Sequence, residues 1–436
     1  MSDRDPPKRT VLRYEQSWPD LLSRLAADRK TGLAPSRPRE VLVDLLDSGS
    51  FVELGSIARR EPVRYDAEDF DGDAAGMIDG DAQVVGWGTR SGRPVIISAD
   101  DVERGGPIRG RAAEEKARRV KGLALDQGAP LLSLFESRRA APGEEPVGAE
   151  LLDVGLGFDV GWELEASERI PKLAIINGSL DTPATIEALW CHVVVMVSRA
   201  TVELEGDGPW NADRCFAAGL VDWVVDDLSA AAQLAGRALD LLPVNRWESA
   251  VVAVPRAASG RLDPAMSPRA ALAGLADADS LFELRGGISP STVTCLGRVE
   301  GLAVGLLTID PLPTTTRTHP GEMAERDKVV RFGRLCHNLG VPIVAVHADR
   351  EAPGLSDVDI SIALGSGSPL TGSAYALTCG SPEQADRSSD AVVHPEGVRS
   401  HVVEVLAGFG NRRLPRRLDE QVNRGRRGNL FRTRRY

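Results

Sequence analysis

A short polar run, Glu136-Ser137-Arg138-Arg139, directly follows an apolar segment from Leu131 to Phe135. The apolar segment is typical of a parallel strand buried on both faces, and ligands of open α/β sheets collect just past the carboxyl ends of such strands. A guanidinium can bind a carboxylate or a phosphate through two N–H groups, so Arg138 and Arg139 are candidate anion-binding residues. Ser137 and Glu136 could donate to or orient a ligand. The competing interpretation is ordinary surface arginines and polar groups that only satisfy the strand end.

A second set of polar residues is predicted at comparable positions. His347 and Asp349 end a similar apolar segment and could form an acid–base pair that faces the first site, or simply a paired turn. Gly105 and Gly106 could cradle phosphate groups or make a turn. His192 precedes another apolar segment and is expected to be packed or capping. No catalytic triad and no metal site is predicted, because spacing alone fixes neither.

The elements that must position these residues occur twice in the chain. An amphipathic helix from Ala117 to Asp126, a Gly-Ala-Pro turn at 128–130 and the strand at 131–135 form one unit. A matching unit lies 212 residues later, whereas Asp222 matches Asp390 only 168 residues later. We therefore predict two tandem copies of one domain, the second shorter by 44 residues. The deletion is expected between Ala348 and Asp359 and is expected to remove a strand, a helix and a glycine loop. Three pairs carry the longer offset: Lys116 and Lys328, Gly128 and Gly340, Pro130 and Pro342.

Length and composition bound the class of protein. A chain of 436 residues can hold two domains with full cores, and five scattered cysteines without a C-x-x-C pair argue against zinc and against a disulfide framework. No segment approaches the roughly 18 apolar residues of a membrane span, and the first residues do not resemble a signal peptide, so a cytoplasmic location is expected. The predicted parts are an arm at 1–17, a first domain at 18–245, a linker at 246–278, a second domain at 279–410 and an Arg-rich tail at 411–436.

The net charge of −11 is uneven, because ten arginines lie between positions 412 and 436 against two acidic residues. We expect this tail to be solvated or to lie on the acidic surface of the protein itself. A nucleic-acid arm is the alternative, but a basic tail without interleaved aromatic residues is weak evidence for one. No nucleic-acid partner is therefore predicted.

Several motifs together resemble those of the carboxyltransferase family, which comprises the β-type subunits of biotin-dependent acyl-CoA carboxylases and related decarboxylases. The resemblance covers about residues 18–410. It implies an α/β fold of two tandem crotonase-like (ββα superhelix) domains, the second shortened here. It also implies an acyl-CoA site in the first half, a carboxybiotin site in the second, and an active site shared between two subunits. The motifs are LLDSGSFVEL (45–54), GTRSGRPVIISADD (88–101), RGGPIRG (104–110), EKARRVKGLALDQGAPLLSL (115–134) and GRVEGLAVG (297–305).

The catalytic motifs depart from the family pattern. Where the family has Asp-Ser-Gly-Gly-Ala-Arg, this chain has Glu136 to Ala141 (ESRRAA), and where it has Gly-Pro-Cys-Ala-Gly-Gly-Ala, this chain has Gly178 to Ala184 (GSLDTPA). In the family, backbone N–H groups of these glycine loops form an oxyanion hole, and Pro183 has no N–H to give. Losing one such donor costs on the order of 10²–10³ in rate. Thr182-Pro183 is also interpreted as a helix N-cap followed by Pro at the first helical position.

Two functional hypotheses follow from the resemblance. The first is an enzyme acting on an acyl-CoA or related carboxylated thioester without biotin, in the manner of a decarboxylase, with Ser137, Arg138 and the Ala184 N–H as candidate donors. Its only cofactor-like group would be the CoA moiety of the substrate. The second is an inactive subunit that stabilises or regulates active carboxylase subunits. Both predict a homo-oligomer, at least a dimer, in which His347 or Asp349 of a partner chain approaches the corner of Ser137, Arg138 and Arg139.

Overall fold

The structure is a computed structural model. It describes residues 36–55, 83–105, 111–136, 159–204, 206, 208–248, 251–309, 319–348, 358–368, 370, 373–384 and 387–409. The expected arm at 1–17 and the Arg-rich tail at 411–436 lie outside these residues. Within the described ranges no helix is both long enough and apolar enough to cross a membrane.

The first half is built on a seven-stranded sheet of order β1-β2-β3-β4-β5-β7-β10. The first three strands pair antiparallel, and from β3 onward all pairs are parallel. Strands β4, β5 and β7 are buried along their whole length, as expected for parallel strands covered on both faces. The strands of this half are β1 (Val52–Leu54), β2 (Gln83–Arg90), β3 (Arg93–Asp100), β4 (Leu131–Phe135), β5 (Lys172–Ile176), β6 (Ser179–Leu180), β7 (Val193–Val197), β8 (Thr201–Glu203), β9 (Pro209–Asn211) and β10 (Trp223–Val225).

The second half repeats the sheet with the same order and the same pairing directions. Its seven strands follow one another in the order β11-β12-β13-β14-β15-β16-β17. The strand that was predicted to be lost after Ala348 is present as β15, which pairs with β14 as β5 pairs with β4, so this part of the prediction is wrong. The strands are β11 (Phe282–Leu284), β12 (Thr292–Val299), β13 (Leu302–Ile309), β14 (Ile343–His347), β15 (Val358–Leu364), β16 (Ser373–Cys379) and β17 (Ala391–Val393).

The missing residues are spread over three connections rather than removed at one place. Strand pairing identifies the equivalent residues of the two halves. The sequence separation between equivalent residues becomes smaller at each successive connection, and the largest decrease lies between the counterparts of β4 and β5. The seven-stranded sheet is complete in the second half, whose described part lacks helices, loop residues and a counterpart of the three-stranded sheet β6-β8-β9. The equivalent pairs are Leu134 and Val346 (212 apart), Ile175 and Ile362 (187), Val195 and Leu377 (182), and Trp223 and Ala391 (168).

The helices explain most of the length difference. Helices α4, α5 and α6 follow β4, β6 and β9 in the first half, and the described part of the second half has no α-helix between β14 and β17. The predicted linker also contains a helix, α8, capped by Ser267 and starting at a proline. The helices are α1 (Arg37–Leu45), α2 (Val102–Gly105), α3 (Arg111–Gln127), α4 (Val160–Arg169), α5 (Thr182–Leu189), α6 (Ala212–Ala217), α7 (Leu228–Leu241), α8 (Pro268–Leu275), α9 (His319–Leu339) and α10 (Val398–Phe409).

The predicted helix–turn–strand unit is confirmed in both halves. Gly128 ends α3 at φ 61°, and the following Ala129 donates its N–H to the Ala124 carbonyl oxygen at 3.0 Å. Gly340 ends α9 in the same way at φ 70°. Both positions need the left-handed backbone region that glycine adopts without steric cost, so the turn sequence fixes where each helix stops and each strand begins.

The two halves share one hydrophobic cluster. Val195 and Leu239 of the first half belong to it together with Phe282 and Leu307 of the second. The Trp223 and Phe282 rings, one from each half, lie 5.6 Å apart between centroids. Polar contacts reinforce the junction, since the Arg298 guanidinium donates to the Asp240 carbonyl oxygen at 2.7 Å.

Candidate functional site

Four polar residues stand at the carboxyl ends of adjacent strands of the first sheet. Asp100 is the last residue of β3, Glu136 and Asn177 directly follow β4 and β5, and Arg199 lies two residues after β7. Asp100, Glu136 and Asn177 are 2%, 5% and 6% exposed, whereas Arg199 is exposed. This is the edge at which parallel α/β sheets bind their ligands, so these residues form the candidate site.

Hydrogen bonds join the four residues in one line. The Glu136 backbone N–H donates to Asp100 Oδ2 at 3.0 Å. The Asn177 side-chain amide donates to Glu136 Oε1, and its carbonyl oxygen accepts from the Arg199 guanidinium at 2.7 Å. The line therefore runs from the buried carboxylate of Asp100 to an exposed cation across the ends of β3, β4, β5 and β7.

The Glu136 carboxyl is electrostatically unusual. Burial raises its pKa above the ordinary glutamate value, and the neighbouring Asp100 carboxylate raises it further. The Asn177 hydrogen bond opposes this shift because it favours the charged carboxylate. Buried groups with a raised pKa at a strand end are candidates for functional roles.

A glycine lets the two strand-end loops touch. A Cβ at Gly178 would lie 2.5 Å from the Glu136 carbonyl oxygen and 2.7 Å from its carbonyl carbon, closer than real Cβ atoms approach. Only glycine therefore fits directly after Asn177. This contact brings the Asn177 amide within reach of the Glu136 side chain.

The second half keeps a similar close approach. A Cβ at Gly367 would overlap the carbonyl oxygen of Ala348, the residue equivalent to Glu136. The loop after β15 begins Gly365-Ser366-Gly367, so the predicted complete loss of a glycine loop here is wrong. His347 ends β14 with 1% exposure, paired with Ile309 and Ala363 on the neighbouring strands.

Several predicted site residues lie outside the described ranges. These are Ser137, Arg138, Arg139, Gly106 and Asp349. Gly105 is described only by its backbone, as the last residue of α2. The predicted set as a whole therefore stays a prediction, and the described site is built on Glu136 and on residues that the sequence did not single out.

The first turn of α5 differs from the prediction by one residue. Asp181, not Thr182, is the N-cap, and its carboxylate accepts the Ala184 N–H at 3.0 Å. Pro183 is therefore the second helical residue and not the first, as was predicted, although it still lies in the first turn. The Ala184 N–H, a candidate donor to a ligand, is thus directed to the cap.

His192 lies at the opposite, amino-terminal end of the sheet and is packed, as expected. Its Nδ1 accepts the Lys172 backbone N–H at 3.0 Å, and its Nε2 lies 3.0 Å from the Ser167 carbonyl oxygen. Burial lowers the pKa of the ring to about 3, and the Lys172 ammonium lowers it as well. The ring is therefore neutral at ordinary pH and holds α4 against β5 and β7.

A buried ion pair accompanies it. Lys172 Nζ lies 2.5 Å from Glu163 Oε2, and both side chains are about 1–2% exposed. Lys121 adds a contact to Glu163 at 3.6 Å and an ion pair with Glu187 at 2.7 Å. This network joins α3, α4, α5 and β5 beneath the sheet and is structural.

Comparison with known proteins relates the chain to a family of carboxyl transferase domains. The carboxyl transferase domain family matches residues 36–213 and 211–354. The methylmalonyl-CoA carboxyltransferase 12S subunit of Propionibacterium freudenreichii subsp. shermanii is 25% identical over 335 residues, which cover 70% of this chain and 61% of the relative. The methylmalonyl-CoA decarboxylase subunit alpha of Veillonella parvula is 24% identical over 337 residues, covering 70% of this chain and 63% of the relative. The chain thus spans about three fifths of the length of these relatives.

A solved structure shares the fold. The transcarboxylase 12S structure, a hexamer with methylmalonyl-CoA and methylmalonic acid bound, superposes with a TM-score of 0.70 at 19% identity. The match covers 92% of this chain and 97% of that chain. The expected architecture of two tandem crotonase-like domains, the second shortened, is confirmed.

Proposed function

Because this chain belongs to the carboxyl transferase domain family, we propose that it acts on the carboxyl group of a carboxylated acyl thioester of the acyl-CoA class, without biotin. The observation that carries the proposal is the hydrogen-bonded line from Asp100 to Arg199 at the carboxyl ends of four adjacent strands. At this edge, hydrogen-bonded polar groups extend from the buried Asp100 to the exposed guanidinium of Arg199. Such an edge suits an anionic substrate.

The proposed reaction is decarboxylation. The bond between the α-carbon and the carboxylate breaks, CO2 leaves, and the electron pair is held as a thioester enolate until the α-carbon takes a proton from water. The roles proposed for this chain are to bind the anionic group through Arg138 and Arg139 and to donate a hydrogen bond from Ser137 to the developing enolate oxygen. The family relationship to a protein named as a decarboxylase subunit supports this reaction class.

The biotin-independent form of the proposal rests on the shortened second half. Strand β16 begins at Ser373, nine residues after Leu364 ends β15, and the described residues between them contain no counterpart of helix α5. The glycine loop is retained, but the helix that follows the loop in the first half is not. A helix start is a natural source of free backbone N–H groups for an oxyanion, so the second half offers fewer donors.

The test is a decarboxylation assay of the purified protein with malonyl-CoA and methylmalonyl-CoA, with and without biotin. We expect CO2 release that does not depend on biotin. Arg138→Ala or Arg139→Ala should weaken substrate binding by roughly 1.5–3 kcal/mol, the scale of a charged hydrogen bond. Arg169→Ala, which removes the same charge at the amino end of the sheet, is the control. No CO2 release, or release that requires biotin, contradicts the proposal.

The first turn of α5 favours a second candidate function. The N-cap contact of Asp181 to the Ala184 N–H and the absence of an N–H at Pro183 leave few donors where the family has its oxyanion hole. An inactive subunit that stabilises active carboxylase subunits is consistent with this arrangement. This candidate predicts no affinity for either thioester and a higher melting temperature of an active carboxyltransferase subunit when the two are mixed.

We also propose a homo-oligomer in which the end of β14 in one chain, at His347 or Asp349, approaches the first-half corner of another. Helices α4 and α5 support it, because Val160, Leu164, Ile186 and Trp190 are 38–53% exposed on their outer faces. Light scattering at micromolar concentration should give at least a dimer mass. A monomer mass contradicts this part of the proposal.

A further inference from the structure

Arg199 is held in an uncommon way for an exposed arginine. Among the described residues its side chain has one hydrogen-bond partner, the Asn177 carbonyl oxygen at 2.7 Å, and no carboxylate within ion-pair distance. Arginines elsewhere in the chain bind carboxylates directly, as Arg90 does with both oxygens of Asp240. A neutral amide fixes the guanidinium, and no carboxylate of the described ranges compensates its positive charge.

The partner is itself fixed from the core. Asn177 is 6% exposed, and its amide N–H is committed to the buried Glu136 carboxylate, so its carbonyl oxygen must point the other way. An amide that gave its oxygen to Glu136 would turn its N–H toward the guanidinium, and two donors would face each other. The accepting oxygen of Glu136 therefore decides which atom of Asn177 faces Arg199.

Ordering an arginine side chain costs conformational entropy that an exposed, solvated group does not recover. A pre-positioned, unneutralised guanidinium at the carboxyl end of a parallel strand is suited to bind a planar anion through two N–H groups. The pKa of Glu136 is raised by burial, which makes its charged form costly to keep inside the protein. Ordering the Arg199 side chain and burying the Glu136 carboxyl therefore both cost free energy, and packing of the fold alone does not require either.

We propose that Arg199, in addition to Arg138 and Arg139, binds the carboxylate of the carboxylated acyl thioester and so selects it over the uncarboxylated thioester, and that Asn177 is a positioning residue. The assignment rests on the proposed function and adds a specificity-determining residue to it. Arg199 leaves the end of β7, next to β5, so it would meet the substrate from the side of the corner opposite β3.

The experiment is calorimetric binding of malonyl-CoA and acetyl-CoA to the full chain and its variants. Wild type should prefer malonyl-CoA, and Arg199→Ala should lower that preference at least about tenfold with acetyl-CoA affinity unchanged. Arg199→Lys, which keeps the charge but loses the forked geometry, should fall in between. Arg169→Ala should leave the preference intact.

The positioning role of Asn177 is tested by a double-mutant cycle. Asn177→Leu should also lower the malonyl-CoA preference, and adding Arg199→Ala to it should cause little further loss, since both changes remove one contact. Additive losses would overturn the positioning role, because they would mean that Asn177 and Arg199 act independently. Equal weakening of both thioesters by Asn177→Leu would also overturn it, because that is the effect of a merely structural residue.

Three outcomes overturn the main assignment. An unchanged preference in Arg199→Ala would show that the guanidinium does not contact the substrate carboxylate. Equal weakening of both thioesters would place it against the CoA portion instead. Failure of the wild-type protein to bind either thioester would overturn the proposed function itself. This outcome is distinguishable from the other two because it is measured on wild type alone, whereas they are measured on Arg199→Ala.

Discussion

Gly178 and Gly367 occupy matching places in the two halves, each where a loop crosses directly over the backbone that follows the preceding strand. A side chain at Gly178 would strike the Glu136 carbonyl group, and one at Gly367 would strike that of Ala348. Glu136 and Ala348 are equivalent residues by strand pairing. The residue equivalent to Gly178 is Gly365, so Gly367 lies two positions beyond the equivalent place. The close approach was kept while the surrounding loop changed length.

Gly178→Ala should destabilise the protein by about 1–3 kcal/mol, because the new methyl group meets rigid backbone only 2.5 Å away. Gly122→Ala is the matched control, since Gly122 lies within α3 with nothing within 4 Å of an added Cβ. Alanine there should stabilise by roughly 0.5–1 kcal/mol. Urea unfolding of both variants measures the difference, and equal midpoints would mean that the loop yields to the methyl group.

Gly367→Ala should lower stability in the same direction, because the second-half loop packs as tightly against Ala348. Gly408→Ala, in helix α10 with open space around the added atom, is the control for this half. If Gly367→Ala unfolds at the wild-type urea concentration, the loop after β15 does not make the close contact described above.

Glu136→Gln should change how stability depends on pH. The raised pKa of Glu136 means that the folded protein binds this proton more tightly than the unfolded chain, so its stabilising contribution is present at low pH. That contribution is lost as the pH rises through the raised folded-state pKa. The neutral glutamine lacks this loss, so the free energy of unfolding of Glu136→Gln should improve relative to wild type as the pH increases.

The groups that set this behaviour are Asp100 and Glu103, which raise the pKa of Glu136, and Arg37 and Asn177, which lower it. Glu165→Gln, on the surface of α4, controls for the loss of a carboxylate. Denaturant unfolding across acidic to neutral pH measures both variants. A difference between Glu136→Gln and wild type that stays constant over this range would contradict the prediction.

Lys172→Met should destabilise the protein by about 3–5 kcal/mol, because it leaves the buried Glu163 carboxylate with only the longer contact to Lys121. Replacing both partners, Glu163→Leu with Lys172→Met, should cost clearly less than the sum of the single changes. Urea unfolding of the singles and the double variant gives the coupling. Additive losses would show that the pair does not act as a unit.

The repeated architecture could be predicted from the sequence because its markers are local. The turn residues Gly128 and Gly340 need a left-handed backbone, and the apolar runs that follow them read directly as buried strands. The position of the deletion could not be predicted in this way. The matched pairs gave only two offsets, 212 and 168, and carried no information about the connections between them, where the loss is distributed.

The candidate site was harder to predict for a different reason. Its hydrogen bonds join Asn177 to a residue 41 positions earlier and to Arg199, 22 positions later, and no periodicity in the sequence links such residues. One usable signal existed, namely the first polar residues after each predicted buried strand. Helix α8 was missed because its alanine- and arginine-rich sequence resembled a linker, although Ser267-Pro268 is a recognisable helix start.

The hydrophobic cluster shared by the two halves bears on how the chain loses its structure. Phe282 and Leu307 of the second half complete a core to which Val195 and Leu239 contribute from the first. Neither half can therefore melt without uncovering apolar surface of the other, and heating should produce one cooperative transition rather than two. A chain cut between the halves would leave two fragments with exposed apolar surface that are prone to aggregate. The tandem repeat is therefore a single folding unit, and neither half can be replaced without the other.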